Sequence, residues 1–168
     1  MNLRCFIWTR DGSLSSSVLL AILKHPFLQE LEINGRQHES NLAILPQFTS
    51  LRRIKLIMPT SPVVEILPAW LKSLISPLQN LTIVCKVGTA PDAYPVRILS
   101  GRKQTSTAVT DALLELISED LSGLDELHLA GCNKVTHRGL VNALRHNKNG
   151  IKSLSMDNIA PSLVRHYP

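Results

Sequence analysis

The strongest constraint on this chain is a recurring spacing: one apolar residue is followed by others three and five positions later, and the pattern occurs six times. The copies are Leu3, Phe6, Trp8; Leu28, Leu31, Ile33; Leu51, Ile54, Leu56; Leu78, Leu81, Ile83; Leu124, Leu127, Leu129; and Ile151, Leu154, Met156. Their first residues are separated by 25, 23, 27, 46 and 27 positions, so the long interval is one unit plus an insertion of about 20 residues. One period therefore runs through all 168 residues.

The last two apolar residues of each copy lie two apart, which places them on one face of an extended segment. Each copy reads as a short strand. Between copies the spacing turns helical. Leu14, Val18, Leu19, Ile22 and Leu23 surround Ser15 to Ser17, and Val109, Leu113, Leu114, Leu116 and Ile117 surround Thr110 and Asp111. Val135, Leu140, Val141 and Leu144 repeat the layout around Thr136. Pro46, Pro59, Pro62, Pro68 and Pro77 make the two middle units less regular, with a helix expected over roughly Val63 to Ser76, divided or kinked near Pro68. A strand–turn–helix unit of this size cannot bury its apolar side alone and must stack on its neighbours.

The segment Val109-Thr110-Asp111-Ala112-Leu113-Leu114, followed by Leu124-Asp125-Glu126-Leu127-His128-Leu129-Ala130-Gly131-Cys132-Asn133-Lys134-Val135-Thr136-His137-Arg138-Gly139-Leu140, resembles the cysteine-containing leucine-rich repeat. That repeat reads LxxLxLxGCxxVTDxGL, and the two Val-Thr pairs here fall 26 residues apart. The resemblance implies an α/β fold: a leucine-rich repeat solenoid, or horseshoe, with short parallel strands on the concave face and helices on the convex face. Residues 1–168 then form a single domain of about six repeats with an irregular insertion at 87–107. The same repeats occur in F-box proteins that serve as substrate receptors of SCF ubiquitin ligases. The resemblance thus implies a protein–protein interaction module like their substrate-recognition region; the alternative is a truncated or degenerate scaffold with no ligase role. The motif is specific only from Val109 to Leu144, since Asp11, Arg36, Pro59, Lys86 and Ile159 stand where other copies would place Cys or Asn. No F-box is legible, so docking on a Skp adaptor is expected only if that module lies outside these residues. Neither Met1 to Arg10 nor Ala160 to Pro168 reads as a polar cap.

On the expected concave face, the residues between and beside the apolar strand positions are the candidate partner contacts. These are Glu30, Glu32 and Asn34; Arg53 and Lys55; Asn80 and Thr82; Glu126 and His128; and Ser153, Ser155 and Asp157. Cys5, Ile7, Thr9, Ile57, Val84 and Ala130 share the same alternation. An acidic strand beside a basic one reads in two ways, as cross-strand pairs that support the sheet or as a recognition surface for a protein client.

Other functions find little footing. The net charge of +5 comes from 18 scattered Lys and Arg with no basic run, so no nucleic-acid partner is expected. Lys24, Lys55, Lys72 and Lys86 interrupt every apolar stretch before it reaches membrane-spanning length. Cys5, Cys85 and Cys132 show neither a close pair nor a metal-type spacing, and their odd number argues against a disulfide framework. A reducing compartment, cytoplasmic or nuclear, is expected. The six histidines form no i, i+4 pair, and the glycines form no phosphate-binding loop. No metal, cofactor or catalytic residue is assigned, and the chain is not expected to be an enzyme. Cys132 is expected to pack against backbone groups in a turn. Val87 to Thr107, with Gly88, Pro91, Pro95, Gly101 and the basic Arg97, Arg102 and Lys103, is expected to be a mobile loop.

Overall fold

The computed structural model describes residues 2–8, 13–87, 104–105, 108–147 and 150–157. All six periodic segments are strands: β1 (Cys5–Trp8), β2 (Glu30–Asn34), β3 (Arg53–Ile57), β4 (Asn80–Val84), β7 (Glu126–Ala130) and β8 (Ser153–Asp157). They form one six-stranded, all-parallel sheet in the order β1-β2-β3-β4-β7-β8. Parallel neighbours need a crossover, and a hairpin turn cannot supply it. Here α1 (Ser16–Leu23), α2 (Glu39–Leu42) with a 3-10 turn at Leu45–Gln47, α3 (Ser61–Lys72), α4 (Asp111–Leu116) and α5 (His137–Leu144) occupy the successive connections.

The apolar spacing becomes two straight rows across the sheet. Phe6, Leu31, Ile54, Leu81, Leu127 and Leu154 are in register, as are Trp8, Ile33, Leu56, Ile83, Leu129 and Met156. On β2, β3, β4 and β7 these side chains are buried, and they share one apolar cluster with Leu19 and Ile22 of α1, Leu67 and Trp70 of α3, Leu114 of α4 and Leu140 of α5. Each fully buried aliphatic side chain of this kind contributes roughly 1.5–3 kcal/mol of transfer free energy. The row therefore does what the sequence requires of it: it ties each unit to the next.

Helix starts follow the hydroxyl residues. Ser15, Thr110 and Thr136 precede α1, α4 and α5 in extended conformation and accept from the backbone N–H of Val18, Leu113 and Gly139, respectively. The units are also stitched by buried polar groups. The Asn41 amide donates to the Leu14 carbonyl at 2.6 Å and accepts from the Ser16 hydroxyl at 2.8 Å, linking α2 to the start of α1.

Two expectations change. The helix in the third unit runs from Ser61 to Lys72 as one element with Pro68 inside it, so it begins earlier, ends earlier and is not divided. Pro62 in its first turn needs no intrahelical donor, and the Ser73 hydroxyl, donating to the carbonyls of Trp70 and Pro46, fixes its end. The base of the insertion is ordered structure: β5 (Lys86–Val87) pairs antiparallel with β6 (Gln104–Thr105). The loop expected between them, with Arg97, Arg102 and Lys103, lies outside the described residues.

Candidate functional site

The alternation that sends one set of side chains into the core sends the other set to the opposite face, and the register aligns that set as well. One row reads Cys5, Glu30, Arg53, Asn80, Glu126 and Ser153; the next reads Ile7, Glu32, Lys55, Thr82, His128 and Ser155. A third reads Asn34, Ile57, Val84, Ala130 and Asp157. All twelve residues singled out as partner contacts therefore fall on one sheet face. Thr9 lies outside the described residues.

The face divides electrostatically into two halves. Across β2 and β3, Glu30 meets Arg53 at 3.5 Å and Glu32 meets Lys55 at 2.9 Å. The second pair is recessed, with side-chain exposures of 18% for Lys55 and 9% for Glu32, whereas the first is open at 57% and 36%. Asn34 is also buried, its side-chain oxygen accepting from the Arg36 backbone N–H in a turn. Cross-strand pairing thus takes up the charges of this half. Across β4, β7 and β8 the face instead carries Asn80, Thr82, Glu126, His128, Ser155 and Asp157, with the Asn80 amide donating to the Glu126 carboxylate at 2.5 Å. That half is polar and partly exposed, and of these six residues only Glu126 and Asp157 carry a formal negative charge.

At the ends of β4 and β7, the structure joins two residues that the sequence did not connect. Cys85 and Cys132 are both fully buried, and the Cys132 thiol donates to Cys85 Sγ at 3.1 Å. The motif alignment placed Lys86 opposite the cysteine slot. In the structure Lys86 leaves the sheet as the first residue of β5, and Cys85 turns inward one position earlier. The Cys132 donation holds the Cys85 thiol below its ordinary value against the opposing effect of burial. Cys132, its proton engaged by Cys85 and its surroundings apolar, is pushed far upward. Cys5 stands apart on the exposed side, its thiol raised by its limited burial and then by the Glu30 carboxylate. The expected packing of Cys132 against backbone is also present, with its sulfur 3.8 Å from the carbonyl oxygens of Ile83 and Ala130.

Among the described residues, no group of three or more His, Cys, Asp and Glu side chains is placed to hold a metal ion, and no helix is long and apolar enough to cross a membrane. No protein-family model, no curated protein and no solved structure matches the chain.

Proposed function

We propose that the chain is a leucine-rich repeat solenoid that works as a protein–protein interaction module, its strands lining a concave face that holds a protein client and its helices forming the convex back. It acts by shape and contact, with no chemistry of its own. The observation that carries this reading is the alignment of twelve polar, strand-borne residues into rows on one face of a parallel sheet whose other face is core. Such a platform offers many side chains on a rigid backbone, the arrangement extended repeat surfaces use for binding.

Within that face, the half formed by β4, β7 and β8 is the better client contact. Glu30, Arg53, Glu32 and Lys55 already satisfy one another, so a client would have to break those pairs to use them. Glu126, His128, Ser155 and Asp157 offer acceptors to a partner surface bearing hydrogen-bond donors or basic side chains. The cysteine-containing segment from Val109 to Leu144 supports placing the module beside the substrate-recognition regions of F-box ubiquitin-ligase receptors, working in the cytoplasm or nucleus. A scaffold without a ligase role separates from that reading by co-purification of the full-length product with a Skp adaptor.

The face assignment is tested with a client recovered by cross-linking in cells and then purified. Glu126→Lys combined with His128→Lys should weaken its binding at least tenfold, while Glu65→Lys on the exposed side of α3 leaves it unchanged. Equal affinity of the face variant, at an unaltered melting temperature, would remove the proposal.

A further inference from the structure

Two buried sulfurs from units separated by the insertion lie in contact, and the backbone on both sides is pinned. The Cys85 N–H donates to the Ala130 carbonyl at 2.7 Å, one residue beyond the paired Val84 and Ala130. Gly131, at φ 65°, donates to the Asp157 carbonyl at 2.7 Å, and the Cys132 carbonyl accepts from Val135 at 3.0 Å. The thiols meet because the sheet register and the Gly131 turn aim them at each other. A disulfide requires about 2 Å between sulfurs, so closing the 3.1 Å gap takes about 1 Å of side-chain movement.

We propose that Cys85 and Cys132 form a reversible dithiol–disulfide couple, oxidised by hydrogen peroxide, that clamps β4 to β7 at the root of the β5–β6 arm. Burial selects the oxidant, because a molecule scarcely larger than water enters a closed apolar site far more readily than a peptide disulfide does. Cys85 is the attacking sulfur, since the Cys132 hydrogen bond favours its thiolate. Its thiolate attacks one peroxide oxygen and the O–O bond breaks. The departing hydroxide takes up a proton and leaves as water, and Cys85 becomes a sulfenic acid. The Cys132 sulfur then attacks the Cys85 sulfur, the S–O bond breaks, and a second water leaves with the Cys132 proton. Two thiols lose two electrons in all, and one peroxide becomes two waters. When the end of β4 opens locally, a thiol reductant reverses the bond by exchange and is itself left as a disulfide. Cys5, exposed and remote in the rows from either sulfur, has no part in it.

The test uses the intact folded chain. After peroxide treatment and removal of excess oxidant, the protein is denatured, its free thiols are alkylated, and its peptides are mapped by mass. The expected result is a monomer carrying a Cys85–Cys132 linked peptide that dithiothreitol dissolves. Oxidation should also raise the melting temperature by about 5 to 15 °C, the range for a cross-link in a domain of this size. Cys132→Ser should abolish both effects and leave Cys85 as a sulfenic acid that dimedone, added with the denaturant, captures. Alkylation of both Cys85 and Cys132 after treatment, or overoxidation of Cys85 with no linked peptide, would overturn the proposal. The wild-type map decides the question even if the serine variant fails to fold.

Discussion

The carboxylate of Asp111 accepts both hydrogen bonds that Thr136 can give it, one from the backbone N–H at 2.7 Å and one from the hydroxyl at 2.6 Å. Asp111 stands in the first turn of α4, and Thr136 caps α5, the helix of the following unit. One side chain therefore fixes where two successive helices begin, and α4 packs along α5. Asp111→Ala is expected to cost about 2–3 kcal/mol, because two hydrogen bonds to an ionised group are lost together and a favourable charge leaves a helix N-terminus. Urea unfolding of Asp111→Ala, Thr136→Val and the double variant checks this. The two losses should fall short of additivity by about 1 kcal/mol, and simple addition would show that the contact carries no coupling.

Gly139 follows from the same contact. Alanine inside a helix ordinarily stabilises it by about 1 kcal/mol over glycine. A Cβ at Gly139 would overlap the Asp111 carboxylate, which its bonds to Thr136 prevent from moving aside. Gly139→Ala is therefore expected to destabilise by about 1–3 kcal/mol. In an Asp111→Gly background, which removes the Asp111 Cβ 2.9 Å away as well as the carboxylate, the sign should reverse, and a loss of the same size there would refute the steric cause.

Much of the fold was legible because the sequence states it in a local code. The spacing of Leu31 and Ile33, or of Leu127 and Leu129, specifies strand faces, and Ser15, Thr110 and Thr136 mark helix starts. The twelve face residues followed from alternation alone, and their register made them rows. What stayed hidden depends on contacts between units. Pro59 occupies a slot where the motif expects Cys or Asn, and in the structure it is buried against Gly35, where a Cβ would overlap the proline backbone. Cys85 and Cys132 are 47 residues apart, and only the sheet order across the insertion brings them together. Pro68 looked like a break because propensity penalises it, yet the buried Val64, Leu67 and Leu71 around it hold α3 as one helix.

The two ion pairs on the sheet face should behave differently when cut. Lys55→Met leaves the Glu32 carboxylate in a recessed site without its counter-charge, for an expected cost of about 3 kcal/mol. Arg53→Met leaves Glu30 open to water and should cost less than about 1 kcal/mol. Combining Lys55→Met with Glu32→Gln should recover most of the larger loss. Chemical unfolding of the four proteins distinguishes these outcomes, and equal costs for the two lysine and arginine variants would contradict the difference in burial. Charge reversal at Lys55 consequently reports on folding, which is why Glu126 and His128 are the positions for testing binding.

Asp120 gives the chain an acid-side pH signature. Among the described residues its buried Oδ2 has no hydrogen-bond partner, and burial raises its pKa above the ordinary carboxylate value, outweighing the attraction of Lys72, with Glu119 adding a smaller push upward. Between the unfolded value of about 3.9 and the higher folded one, the native state keeps a proton that the unfolded chain has released. The stability contributed by protonated Asp120 is thus complete below the unfolded value and is lost as pH rises through the folded one. At neutral pH the native state carries a poorly solvated carboxylate. Asp120→Asn removes that charge while keeping the shape, so it should raise the melting temperature at neutral pH and change it much less near about pH 3, where the wild-type side chain is itself neutral. Thermal unfolding of both proteins across that range checks the sign. A gain in melting temperature that is as large in acid as at neutral pH would mean that the ionisation of Asp120 is not its cause.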